Sequence, residues 1–226
     1  MRLDRIGPKY GLTHLMTRWV KKSILGVCAV LLLFGGFSAL GAETDQTLVA
    51  EREKHFAQWR QERDEFFKTH QRSPLTPEEK KKFQCLRYYP FDPKCIFVGE
   101  IERYVFGHND PKHDATFLTN TGTNKRYIRY GRFHFQVDAK ELAIEVFKSI
   151  LSDSLFIPFK DKTNEKETYG GGRYVDTEIL PGYKMILDFN TAYFPICAYN
   201  EKLVCILPPR DNMFDVEIRA GERNER

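Results

Sequence analysis

The stretch Thr121-Gly122-Thr123-Asn124-Lys125-Arg126-Tyr127-Ile128-Arg129-Tyr130-Gly131-Arg132-Phe133-His134-Phe135-Gln136-Val137 decides the fold. Its first four residues are turn formers, and a β-branched and aromatic run follows them, which is the grammar of a hairpin. Phe133, Phe135 and Val137 then alternate with polar neighbours, so one face of a strand is turned inward. Gly131 interrupts the run and is expected to break it into two strands.

Working outward, the same grammar recurs. Residues 96–106 and 116–118 read as strands before the hairpin, with a polar loop at 107–112. After it come 155–159, 173–175, 184–189, 203–206 and 213–218. Residues 141–148 alternate Leu142, Ile144 and Val146 and read as a strand, with a helix as the alternative. Short strands at this spacing predict a mainly β (α+β) unit, an antiparallel β-sandwich or partly open barrel with N-terminal helices packed on it. No internal repeat of 20–50 residues is visible. Aromatic residues make up 14% of the chain, which suits a ring-rich core.

Upstream of residue 81 the pattern is helical. From residue 44 to about 68, Leu48, His55, Phe56, Trp59 and Phe66 recur near spacings of three and four among charged residues. Thr44 or Asp45 would cap this helix, and Trp59, Phe66 and Phe67 are large enough to require packing. Pro77-Glu78-Glu79-Lys80 reads as the first turn of a second, short helix.

The first 42 residues follow other rules. Arg18, Lys21 and Lys22 precede an uncharged stretch at 23–42 with its apolar heart at 24–34, and Ala39-Leu40-Gly41 supplies small residues for cleavage before Ala42. This is the layout of a signal peptide, ordinary in length if translation starts at Met16. An uncleaved anchor is the alternative, because 20 uncharged residues just span a bilayer. Val27 before Cys28 argues against a lipoprotein site. The expected organisation is a signal peptide or anchor at 1–42, a helical segment at 43–80 and a β-rich domain at 81–226. The expected location is extracytoplasmic: periplasmic, secreted or membrane-anchored, with membrane contact only through the N-terminal segment.

The leader also carries the charge. The chain has 35 Lys+Arg and 31 Asp+Glu, and residues 1–41 hold six of the basic and one of the acidic residues, so the remainder is near neutral. Nucleic acid is excluded as an expected partner, since binding it draws on an excess of cations.

Four cysteines lie beyond the leader, at 85, 95, 197 and 205. In an exported domain they suggest two disulfides, with three possible connectivities. Two local rings, Cys85–Cys95 and Cys197–Cys205, are the preferred pairing. A four-thiolate zinc site is disfavoured because the spacings lack tight C-x₂₋₄-C knuckles. His108, Asp110, His113 and Asp114 share one polar loop, read as solvated rather than as a metal site, and residues 161–167 lack the glycine of a calcium loop. No metal and no cofactor is expected.

Residues 167–174, Glu-Thr-Tyr-Gly-Gly-Gly-Arg-Tyr, are unusual. No Lys-Ser/Thr follows the glycines, so phosphate-loop chemistry is not indicated. In a strand context they mark a bulge or a close backbone approach. A pocket floor is the sharper reading, with Glu167, Arg173 and Tyr174 at its rim. Residues 188–193 and Tyr199-Asn200 set short polar side chains among rings, which implies a hydrogen-bonded network. On the functional reading Arg173, Tyr174, Asn190, Tyr193 and Asn200 bind a ligand, and Glu167 and Asp188 orient it. On a catalytic reading Glu167 and Asp188 form an acid/base pair, which requires them to lie roughly 5–10 Å apart across an open cleft. No G-x-S-x-G, H-E-x-x-H or Ser/His/Asp pattern occurs.

At these same residues the chain resembles the uncharacterised family called domain of unknown function 1684. The resemblance runs through Trp59-Arg60, Arg63-Asp64, Phe66-Phe67, Ser73-Pro74-Leu75, Tyr89-Pro90 and Asp92-Pro93. It continues through LFIPFKDKT (155–163), ETYGGGRY (167–174), DFNTAYFPICAYN (188–200), Cys205, Pro208-Pro209, Asn212 and Ala220-Gly221-Glu222. Phe194 stands where the family tends to have Asn, and Ile206 where Pro often follows the cysteine. Cys197 and Cys205 belong to the family pattern and Cys85 and Cys95 do not, which supports pairing by sets. The family's activity is not established, so the resemblance implies no chemistry. The expected function is a binding module for a small molecule or an envelope protein. The alternatives are an extracytoplasmic hydrolase using Glu167 and Asp188, and a structural envelope protein.

Overall fold

The computed structural model describes residues 37–107 and 110–224, with side chains from residue 45. The signal-peptide or anchor reading falls almost wholly outside them, as do Cys28 and His108. The chain divides into two compact units, Met1–Gln46 and Thr47–Arg226. Every described strand lies in the second. Among the described residues no helix is long and apolar enough to cross a membrane.

Helix α1 (Phe37–Thr69) begins earlier than its periodicity indicated. Its inward stripe within the second unit is Arg52, Phe56, Trp59, Arg63 and Phe67, steps of four, three, four and four, so it mixes rings with two arginines. Helix α2 (Pro77–Lys82) is short and closed by a capping box, in which Thr76 accepts from the Glu79 N–H and Glu79 accepts from the Thr76 N–H.

The eight strands are β1 (Ile96–Glu100), β2 (Glu102–Arg103), β3 (Asp114–Leu118), β4 (Asn124–Val137), β5 (Lys140–Lys148), β6 (Ser154–Phe159), β7 (Arg173–Glu178) and β8 (Lys184–Asp188). They form two antiparallel sheets, as the alternation pattern requires. β1 and β8 make a two-stranded ribbon, and the larger sheet runs β2-β4-β5-β6-β7, with β3 also paired to β4. β2 and β3 divide one edge of β4 between them, because Gly131 faces Arg103 and Ile128 faces Asp114 while β5 occupies the other edge.

Three strand expectations are corrected. β4 is not broken at Gly131; the register with β5 shifts between Arg129 and Gly131, so the strand bulges and continues. A Cβ at Gly131 would meet the Glu102 carbonyl at 2.5 Å, which is why the position carries no side chain. The run at 96–106 is cut at Ile101, whose N–H turns to Tyr183 O. Residues 203–206 and 213–218 form no strands, only the single bridges Thr119↔Ile206 and Lys160↔Met213. In the latter segment the carbonyl of Ile218 is taken by a side chain, Arg173, instead of by a neighbouring strand.

The larger sheet is packed on both faces. One face buries Phe133, Ile144, Val146, Leu155 and Ile157 together with Met185, Leu187 and Phe189. The other buries a smaller cluster of Phe117, Phe147, Phe156 and Tyr174. Strand alternation therefore sends Arg173 and Val175 to the main core and Tyr174 to the second face.

Where β5 and β6 part company the ladder is completed by an amide. Only Phe147↔Phe156 and Lys148↔Leu155 pair directly. Beyond them Asn212 inserts its side chain: Oδ1 accepts from Glu145 N–H at 2.7 Å, and Nδ2 donates to Glu145 O and Pro158 O, each at 2.9 Å.

Candidate functional site

The sequence-predicted residues are distributed over several environments. Arg173 has no exposed surface. Its guanidinium pairs with Asp161, itself sealed, and donates to Ile218 O at 2.7 Å and to Ala220 O. It also lies over the Phe159 ring at 5.1 Å. The preceding glycines serve this closeness: Gly172 has φ +96, and a Cβ there would meet Phe159 O and Pro208 Cγ, each at 2.7 Å. Tyr174, on the opposite face, donates its hydroxyl to Ile206 O at 2.5 Å.

Asp188 is 1% exposed and acts as a cap, accepting from Asn190 N–H at 2.9 Å while Arg52 of α1 pairs with its second oxygen at 2.8 Å. Asn190, fully buried, exchanges two hydrogen bonds with the backbone of Asp92, at 2.8 and 2.9 Å. Glu167 lies half-exposed, accepting from Tyr89 at 3.0 Å and pairing with Arg219 at 2.9 Å, and Arg219 in turn holds its carboxyl below the usual range. Asn200 Nδ2 donates to Pro74 O at 3.3 Å. Asp188 and Asn190 thus share one network. Glu167 and Asp188 have no partner in common among the described residues, and the Asp188 side chain is sealed from solvent at 1% exposure.

Cys197 and Cys205 come together as a disulfide, with Cα atoms 6.0 Å apart. The expected pairing of Cys85 with Cys95 is not formed, and both are free thiols. Each is held by its own surroundings. Cys95 closes a 3-10 turn capped by Asp92 and packs on the main core, where burial pushes its thiol up to about 12. Cys85 precedes Leu86, whose N–H is fixed to Asp64 of α1 at 2.8 Å.

The second sheet face carries a different constellation. Tyr174 and Tyr193 form an antiparallel bridge with rings 5.7 Å apart, edge to face. The Tyr193 hydroxyl donates to Asp176 Oδ2 at 2.6 Å. Asp176 is the direct cross-strand neighbour of Phe156, on which Tyr127 stacks at 5.0 Å and Tyr174 packs edge-on at 4.8 Å. The carboxylate therefore lies over the buried rings of Phe156 and Tyr174, on the sheet face that also carries the half-buried Tyr127 and Tyr193. Its surface is exposed, yet the protein around it strips enough hydration to raise its carboxyl pKa, with the Tyr193 hydroxyl and Arg63 opposing the rise. Burial, and then the charge of Asp176, pushes Tyr127 up to about 12.

Helix α1 closes one side of this arrangement. Arg63 stacks over Tyr193 at 4.8 Å and over Trp59 at 5.0 Å. It pairs with Glu222 at 3.0 Å and donates to the Tyr88 hydroxyl at 3.3 Å. Glu222 is 1% exposed and also accepts from Phe194 N–H at 2.8 Å. Burial nonetheless pushes its carboxyl up to about 7 against those partners.

Sequence reading found Tyr174 and Tyr193 but missed Asp176, Tyr127, Arg63 and Glu222. Ending β7 at Val175 was the cause for Asp176; carried to Glu178, the alternation places it on the Tyr174 face. No local pattern marks Glu222, which meets α1 only through the tertiary fold.

Fold and site together define a mainly antiparallel β protein that carries a helix on its N-terminal side and a polar, aromatic surface fed by both. The chain belongs to the family described as Protein of unknown function (DUF1684), whose profile matches residues 81–223. It is similar to the solution NMR structure of an uncharacterised protein of Haloarcula marismortui, at 31% identity and a TM-score of 0.61 over 78% of this chain and 96% of that one. No curated protein matches the chain.

Proposed function

We propose that the protein is an extracytoplasmic binding module that holds a small molecule on the aromatic face around Asp176. Support for the location comes from the basic, apolar and small-residue order of the first 42 residues. One observation carries the binding reading: Asp176 keeps an exposed carboxylate beside the half-buried Tyr127 and Tyr193, above the buried rings of Phe156 and Tyr174, although desolvation disfavours its charge. Among the described residues Asp176 forms no ion pair and caps no helix and accepts one side-chain hydrogen bond, from Tyr193, whereas Arg173 and Asp188 are consumed by structure. Perturbed ionisable groups in such settings mark functional sites more often than chance.

The test is an NMR screen of the full chain against a mixed library of small anionic, neutral and cationic compounds. Compounds that shift the resonances of Tyr127, Asp176 and Tyr193, and lose that effect in Asp176→Ala, are expected. Hits confined to other surfaces, or no hits at all, overturn the reading.

A further inference from the structure

Helix α1 is bound to the β unit in a way that lets it leave alone. Among the described residues no backbone hydrogen bond joins it to a strand, and its ties are side chains. Arg52 pairs with Asp188 at 2.8 Å, Asp64 accepts from Leu86 N–H at 2.8 Å, and Arg63 pairs with Glu222 at 3.0 Å. Phe56 and Phe67 are buried along the same stripe. An element held by side chains at the start of a unit opens at lower cost than the central strands. We propose that the part of α1 within the second unit is a proton-sensitive strap: it detaches without unfolding the sheet, and Glu222 makes it detach more readily as pH rises.

Glu222 lies at the seam between α1 and the segments packed against it. Tyr88 is its bridge partner, and the Tyr88 hydroxyl accepts from Arg63 Nε at 3.3 Å. Phe194 N–H donates to the carboxyl at 2.8 Å, and the Glu222 N–H goes to Ala192 O. Arg173 reaches it from the core by charge, being already paired with Asp161. The cation in contact is Arg63, and α1 delivers it. Burial still outweighs these partners and pushes the carboxyl up to about 7. When α1 lifts, Glu222 meets water and returns toward its ordinary 4.5, so the bound proton favours the docked helix. Docking is tightest below about pH 4.5 and weakens as pH rises to about 7.

Two other groups on α1 titrate with docking. Asp64, raised by burial, acts in the same sense as Glu222. His55, lowered by burial and by Arg52, opposes them at the acid end. Replacing Glu222 alone separates its share from theirs. Tyr193 and Asp176 also face Arg63, so lifting α1 uncovers Tyr88, Tyr193 and Glu222 next to Asp176. The strap stands whether or not that face binds a ligand.

Hydrogen exchange of the full chain between about pH 5 and 8, scored as protection relative to unstructured chain at each pH, is the test. Protection at Trp59 and Arg63 is expected to sit roughly tenfold or more below that at Ile144 of β5. Relative to Glu222→Gln, whose amide does not titrate, it is expected to fall roughly 50-fold across that range. The Glu222 carboxyl carbon, followed by NMR in the native chain, is expected to titrate at about 7. Equal protection in α1 and β5 at every pH overturns the strap, since the helix then leaves only with the whole unit. A ratio to Glu222→Gln that stays flat, or a carboxyl midpoint near 4.5, overturns the proton link. The carboxyl titration needs no variant and decides that point even where Glu222→Gln does not fold.

Discussion

Arg173 and Asp161 form an ion pair from which solvent is completely excluded on both sides. The carboxylate also accepts from the N–H and hydroxyl of Thr163, and the guanidinium also holds the carbonyls of Ile218 and Ala220. The charges thus compensate each other while fastening the 161–168 turn, β7 and the C-terminal segment to one another. Asp161→Asn leaves a buried guanidinium without its counter-charge, and the expected loss is about 3–5 kcal/mol in urea unfolding. Arg173→Met is expected to cost at least as much, since it strands a carboxylate and two carbonyls together.

Glu222 makes stability depend on pH in an unusual direction for a carboxylate. Its folded value is raised to about 7 from an ordinary 4.5, so the folded chain keeps a proton that the unfolded chain has already released. This contribution to stability is full below about pH 4.5, falls as pH rises, and has been lost by about pH 7. Urea midpoints measured across that window should decline for the native chain relative to Glu222→Gln, whose amide does not titrate. A parallel pair of profiles would contradict the assignment.

The cysteines should separate cleanly by mass and by labelling. Oxidised protein should have lost two hydrogens, not four, with Cys85 and Cys95 both remaining as titratable thiols. Alkylation of the native chain should reach Cys85 before Cys95, because the thiolate is the reactive form and burial pushes Cys95 up to about 12. Reducing Cys197–Cys205, whose ring spans a sequence separation of 8, should cost roughly 2–3 kcal/mol.

Asn212→Ala should act far from its own loop. Three hydrogen bonds vanish and the buried backbone of Glu145 and Pro158 is left unpaired. A loss of about 2–4 kcal/mol is expected, with faster hydrogen exchange at the Glu145 amide than at Val146. Unchanged exchange at Glu145 would show that the amide does not complete the sheet.

What the sequence disclosed, and what it withheld, follows the range of the forces involved. Period-two alternation is local, so β5, β6, the hairpin at Gly122 and the two halves of β4 were legible from their own residues, but not the bulge that joins those halves. The first turn of α2 was similarly announced by Pro77, though not the capping box that closes it. Alternation says nothing about what a polar residue in an apolar run will meet. Arg173 reads as a rim residue because its partner Asp161 is twelve positions away, across a turn, and the carbonyls it holds lie about 45 further on. Residues 213–218 have the composition of a strand, but their hydrogen bonds go to Lys160, Lys162 and Arg173, so a correct local preference found no ladder to join. The site around Asp176 was half-visible. Its tyrosines stood out as aromatic, while the acid between them depended on where one strand stopped.

The segment from Asn212 to Glu222 has a consequence in time. It supplies the amide that joins β5 to β6, the carbonyls that satisfy Arg173 and the carboxyl group that accepts from Arg63. Every one of those partners leaves the ribosome earlier. Until this segment emerges, two arginines lack their full complement of acceptors and the sheet has a gap at its centre. The nascent unit therefore cannot complete these three contacts before residues 212–222 have emerged.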